Sequence, residues 1–170
     1  MQSGDGDWQV TTMNTLRWLE ETEFANWVLT SFVGFPLMLS LHAVGMAIAI
    51  GLILVMNLRL LGLFEFVSYR FLQRALIAAW AGLTVNFLSG TALFIPRGVE
   101  YVGDRAFLTK IALILIGVST TAALHSRLKR ESLKWQADDA VSVDTKLWAA
   151  ASLVIWFGAI ASGRLIAYID

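Results

Sequence analysis

In the stretch FPLMLSLHAVGMAIAIG (35–51), His42 stands in an apolar run with Met38 and Met46 four residues to either side. Spaced at i, i+4 and i+8, the three side chains stack on one face of a helix. A neutral imidazole flanked by thioethers could serve a b-type haem as axial ligand, or form part of a Cu(I) site. The competing reading is a core histidine hydrogen-bonded to Asn86, Ser89 or a backbone carbonyl, with methionine as adaptable filler. A second histidine, His125 in TTAALHSRLKR, lies just ahead of a basic cluster. There the choice is between a ligand, to a second haem or metal, and an interfacial group satisfied by water or carbonyls. Lys110 in FLTK and Arg164 in ASGRLIAY could build an anion or quinone-carbonyl site with Tyr101 or Tyr168, or else snorkel to lipid phosphates.

Composition limits what such residues can belong to. The chain is 57% hydrophobic and 15% charged, with seven tryptophans, whereas soluble domains carry about a quarter charged residues. The surplus apolar surface calls for lipid. A formal net charge of zero gives no electrostatic case for nucleic acid. The absence of cysteine removes disulfides, thiolate-bound zinc, iron–sulfur clusters and thiol catalysis. The apolar runs contain no carboxylate, which argues against a proton-coupled transporter with an intramembrane acid. No phosphate-binding, nucleophile-elbow or zinc-protease motif occurs, so the chain is not expected to be an enzyme on its own.

The elements that must position these groups are membrane helices. Uncharged runs cover 24–58, 75–96, 111–126 and 147–163, and a span takes about 20 residues, with basic residues at its ends snorkelling. The first run would be ~52 Å long as one helix, too long for an untilted crossing. Pro36 in GFP disfavours helix at Phe35, so 15–34 is expected to be one interfacial amphipathic helix starting near Thr15. The spans then fall at about 36–57, 75–96, 107–128 and 146–168. The expected fold is all-α: one membrane domain, a four-helix transmembrane bundle behind an interfacial helix. A short external loop is expected over 97–110, while 127–146 extends the third helix before turning. Gly82, Gly90, Ala151, Ala159 and Gly163 would let helices approach closely.

Basic residues set the expected orientation. Eight lie in the two loops on one side, Arg59 to Arg74 and Arg127 to Lys146, against Arg17, Arg97, Arg105, Lys110 and Arg164 on the other. The positive-inside rule then puts both termini outside. Measured from helix midpoints, His42 lies ~6 Å outward and His125 ~10 Å inward, roughly 16 Å apart in depth, so one iron in one chain cannot take both.

The motifs LHAVGMAIAIGLILVMNLRLLGL (41–63), RAFLTKIALILIG with ALH (105–125) and GRLIAY (163–168) together resemble a bacterial family of small four-helix membrane proteins, a domain of unknown function. The matching positions are His42, Arg59, Lys110, His125, Gly163 and Arg164. Where that family often carries Asn-Pro before the Phe, this chain has DRAF (104–107). The layout is also loosely similar to four-helix b-type cytochromes and copper-resistance membrane proteins. The expectation is a multi-pass bacterial inner-membrane subunit that binds haem b through His42, with Met38, Met46, Asn86, Lys110 and Arg164 around it, and serves electron transfer. Its partners would be the bilayer and other membrane subunits or further copies of itself. The rivals are copper binding through Met38, His42 and Met46, and an accessory subunit with hydrogen-bonded histidines and no cofactor.

Overall fold

The computed structural model describes the backbone of residues 4–135 and 141–169 and the side chains of 10–130 and 141–163. All its regular elements are helical. They are α1 (Gly4–Glu20), α2 (Glu23–Thr30), α3 (Gly34–Leu60), α4 (Tyr69–Phe94), a 3-10 turn (Ile95–Arg97), α5 (Gly98–Gly103), α6 (Arg105–Trp135) and α7 (Val143–Ile169). Four segments are long and apolar enough to cross a membrane: Gly34–Leu60, Tyr69–Gly103, Arg105–Arg130 and Val143–Gly163. At most 28% of the residues in the apolar window of any of them are buried within the chain. Ile77, Phe87 and Val154 point outward with about 70% exposure. Exposed apolar area is unfavourable in water by about 25 cal/mol per Å², and acyl chains remove that penalty. The molecule is a multi-pass membrane protein whose outer faces meet lipid.

The N-terminal region differs from the single helix expected over 15–34. Thr15 is in the middle of α1, its hydroxyl donating back to the Thr11 carbonyl at 2.9 Å. The break comes later, where Thr22 caps α2 by accepting the Ala25 N–H at 3.2 Å. A second break at 31–33 is held by Ser31, whose Oγ accepts the N–H groups of Val33 and Gly34, both at 3.2 Å. Pro36 does not break the chain. It falls in the first turn of α3, where a missing N–H leaves no intrahelical bond unmade.

The expected external loop also has structure. The 3-10 turn and α5 fold back beneath α1, and the Glu20 carboxylate accepts the Val99 N–H at 2.8 Å. Asp104 of the DRAF segment then caps α6, taking the N–H groups of Ala106 at 2.8 Å and Phe107 at 3.3 Å. An aspartate at this position satisfies two orphan donors that an Asn-Pro pair would handle differently. Helices α1, α2 and α5 thus close one end of the bundle, here termed the capped end.

Two antiparallel hairpins make the bundle, α3 with α4 and α6 with α7. In the first, glycines bring backbone against backbone. A Cβ on Gly45 would lie 2.8 Å from the Asn86 nitrogen and 2.9 Å from the Gly82 carbonyl oxygen; one on Gly82 would meet the Ala49 nitrogen at 2.9 Å. In the second, Trp156 lies over Gly117, whose Cβ would come within 2.9 Å of the indole, and its Nε1 donates to Thr121 Oγ1 at 3.1 Å. Toward the far end the space fills with large side chains: Ile53, Met56, Leu60, Leu72, Leu76, Leu124 and Leu128 are fully buried.

That end is finished by local chemistry. Gly62, at φ 96°, takes the left-handed position of a Schellman motif, with Leu63 N–H to the Leu58 carbonyl at 2.9 Å and Gly62 N–H to that of Arg59 at 3.1 Å. Arg59 holds the 61–68 connection, donating to the Val67 carbonyl at 2.9 Å with its guanidinium 4.5 Å above the Tyr69 ring. Arg127 of α6 pairs with Asp144 of α7.

A methyl group at Gly45 should force α3 and α4 apart, lowering stability by about 1–3 kcal/mol, the usual cost of overpacking. Gly51 sits on the same helix, but a Cβ there meets no atom within 4 Å. Unfolding titrations in mixed micelles should therefore show Gly45→Ala clearly weakened and Gly51→Ala at wild-type stability or above.

Candidate ligand site between the hairpins

The same close approach that joins α3 to α4 also fixes His42. Its Nδ1 lies 3.0 Å from the Asn86 carbonyl oxygen, and a carbonyl only accepts, so Nδ1 carries the proton. Asn86 answers in kind, its Nδ2 donating to the His42 carbonyl at 2.8 Å. Each residue thus uses its side chain on the other's backbone, a reciprocal clamp across the helix pair. Ser89 Oγ stands 3.4 Å from Nδ1 and donates to the Val85 carbonyl at 2.7 Å. Gly90 leaves room for the ring, since a Cβ there would lie 3.0 Å from His42 Cε1. With Nδ1 committed to α4, the neutral ring presents Nε2 as a free electron pair, and no described side chain hydrogen-bonds it.

His42 lines a cavity of about 430 Å³ at the capped end, where the two hairpins part. Small-molecule sites usually fall between about 300 and 1,000 Å³. Phe94, Tyr101 and Phe107 form its aromatic wall, their ring centroids 5.1–6.2 Å apart. Lys110 enters from α6, its stem passing 3.4 Å from where a Cβ on Gly163 would stand. Among the described residues neither the Lys110 ammonium nor the Tyr101 hydroxyl has a hydrogen-bond or ionic partner. The cavity therefore offers one acceptor, Nε2, and two donors, on Lys110 and Tyr101, inside an otherwise apolar lining. Met46 lines it as well, whereas Met38, half-buried one turn before His42, does not.

His125 occupies a different setting. The Trp80 indole N–H donates to its Nδ1 at 2.9 Å, and the rings stack at 6.4 Å. An indole only donates, so Nδ1 accepts and the neutral ring carries its proton on Nε2. Neither nitrogen is then left with a free lone pair for a metal, and the second ligand expected here is a hydrogen-bonded partner of Trp80 in this arrangement. Trp80 and Asn86 are six residues apart on α4, about 9 Å in rise, and the two histidines are held separately.

Of the expected site residues, then, His42, Asn86, Lys110 and Met46 gather at or beside one cavity, joined by Tyr101. The Arg164 and Tyr168 side chains lie outside the described residues. Ser119, Thr120 and Ser162 bond to carbonyls of their own helices. No group of three or more His, Cys, Asp or Glu side chains able to hold a metal ion occurs among the described residues. Sequence reasoning passed over two features. One is the rest of the aromatic wall, Phe94 and Phe107, which fall in the expected second and third spans and join Tyr101 from the expected loop. The other is Asn57, fully buried in α3, which from the sequence looks like an edge residue beside Arg59.

No known protein family matches the chain, nor does any curated protein or solved structure.

The two histidines should be opposite neutral tautomers. Nitrogen NMR of histidine-labelled protein should show one ring protonated at Nδ1 and the other at Nε2. Gly90→Val should perturb only the first signal and Trp80→Phe only the second. Two rings of one tautomer would contradict the geometry.

Proposed function

We propose that this chain is a subunit of a bacterial inner-membrane assembly, that it holds a b-type haem in the cavity through His42 Nε2, and that it passes electrons within that assembly. The observation that supports this reading most is the Nδ1–H to Asn86 carbonyl bond. Haem- and metal-ligating histidines characteristically donate their second ring nitrogen to a carbonyl or carboxylate, which fixes the tautomer and raises ligand basicity. The unpaired Lys110 suits a propionate, and the aromatic wall suits a flat macrocycle. When bound, the haem would supply one-electron chemistry, with its potential tuned by the axial imidazole and the low dielectric.

The chain's own residues would orient the group and keep water away from it. Gly90 and Asn86 hold the imidazole plane, and α1, α2 and α5 cover the capped end. Met46, one turn from His42 on the same face of α3, also lines the cavity and would pack against the group. Lys110 and Tyr101 would meet the polar edge of the group from α6 and α5. The distribution of basic residues supports both termini on the outer face. Copper binding through Met38, His42 and Met46 draws less support, because Met38 lies off the cavity.

Protein produced with ample haem should show a Soret band on purification. His42→Ala should abolish it, a loss of at least tenfold in bound haem, while His125→Ala should keep it. A wild-type preparation without the band, or one in which His42→Ala retains it, would overturn the reading.

A further inference from the structure

On the opposite side of Met46 from the cavity, α3 and α7 leave a second opening, a groove of about 310 Å³. Its walls are apolar, with Trp156 and Phe157 from α7 facing Ile50 and Leu54 from α3, and at one end it reaches Asn57. Two observations there are unexplained by the packing of the chain. Asn57 is fully buried, and though its Nδ2 donates to Ser152 Oγ at 3.1 Å, its Oδ1 has no hydrogen-bond partner. Leaving a buried acceptor unpaired forfeits its hydration with nothing in return. Gly51, on the floor, has open space where a Cβ would be. A helical glycine is unfavourable relative to alanine, and Gly45 and Gly82 offset that with helix contact. Gly51 does not.

The dimensions are those of one leaflet. From Asn57 to Met46 is eleven residues, ~16 Å of rise, against about 15 Å for half of a 30 Å hydrocarbon core. Asn57 is three residues from the end of α3, at headgroup depth, and Met46 is near the middle of the helix. A polar amide thus sits at the interface and an apolar trough runs inward to the midplane. The head that fits is neutral. No cation lines the groove among the described residues, and Arg59, the nearest in sequence, is already engaged by the Val67 carbonyl and the Tyr69 ring. A hydroxyl both donates and accepts, so it satisfies whichever end of the amide faces it, and the broad terminal torsion of Asn lets the amide turn to meet it.

We propose that the α3–α7 groove binds a single-chain membrane amphiphile with a neutral hydroxyl head, the hydroxyl on the Asn57 amide and the chain lying over Gly51. This site is separate from the His42 cavity and stands whether or not that cavity holds haem.

The test uses the full chain in lipid nanodiscs with labelled 1-dodecanol and its methyl ether as probes, corrected for partitioning into lipid. Gly51→Leu projects into the groove from a position where a Cβ meets no atom within 4 Å, and its fold is verified by an unchanged thermal transition. The expected result is saturable binding of one alcohol per chain, at least tenfold weaker for the ether. Gly51→Leu should weaken alcohol binding at least tenfold, and Asn57→Leu should make alcohol and ether bind alike. Equal binding of alcohol and ether by the wild type would overturn the proposal, as would undiminished alcohol binding by Gly51→Leu. If that variant also turned a dimer into a monomer, the groove would belong to a second copy of the chain instead.

Discussion

In hydrocarbon, two helices gain little by burying side chains against one another, because lipid tails are as apolar as leucine. What remains is close van der Waals contact and hydrogen bonds that have no water to compete with them. Gly45 and Gly82 supply the first by removing every side-chain atom between the α3 and α4 backbones. The second follows from it. Only when the backbones touch can the His42 ring reach the Asn86 carbonyl while the Asn86 amide reaches that of His42. The clamp and the glycine contact are thus one interaction. The orientation of His42, and every chemical property assigned to its free nitrogen, depends on it.

The bundle opens away from this contact unequally. On one side large aliphatic side chains, from Ile53 to Leu60 in α3 and their partners in α4 and α6, fill the space between hairpins apart from the α3–α7 groove. On the other, small residues face one another: Ala43, Gly90 and Gly163 line the cavity. Gly163 gives the Lys110 stem a surface to lie on. A packed half anchors the molecule and an open half presents polar groups. The division comes from the sizes of a few residues at corresponding depths in the helices.

How much of this was legible in the sequence follows from the range of each signal. Four long apolar helices were readable because composition over about 20 residues decides membrane insertion. His42, Lys110 and Asn86 stood out because a polar group in an apolar run is costly and therefore conspicuous. The pairing was not readable. Asn86 and Ser89 were named as partners for His42, but which nitrogen they would engage depends on the height at which α3 crosses α4. That height is set by Gly45, which had not been singled out. Trp80 as the partner of His125 has no sequence signal, since its spacing to His125 reflects packing across α4 and α6. The N-terminal region went wrong for a local reason. Thr15 and Thr22 are both plausible caps, and Thr22 is followed by Glu23 while Thr15 continues an established helix. Pro36 marks the break three to five residues late because a proline in the first turn of a helix starts it as readily as it ends one.

The polar groups of the spans fall into two populations, and where the second lies is informative. Most are closed on themselves: threonines and serines on carbonyls one turn back, Trp156 on Thr121, Trp80 on His125. Four groups left open lie between the hairpins: His42 Nε2, the Lys110 ammonium, the Tyr101 hydroxyl and Asn57 Oδ1. They line either the cavity or the adjoining groove, and the residues common to both are Met46 of α3 and Ile160 of α7. Lipid exacts a penalty for each unpaired group wherever it lies. Their shared position along the boundary between the hairpins is what a chain shows when its core is assembled in two closed pairs. The seam between those pairs is then left free for chemistry.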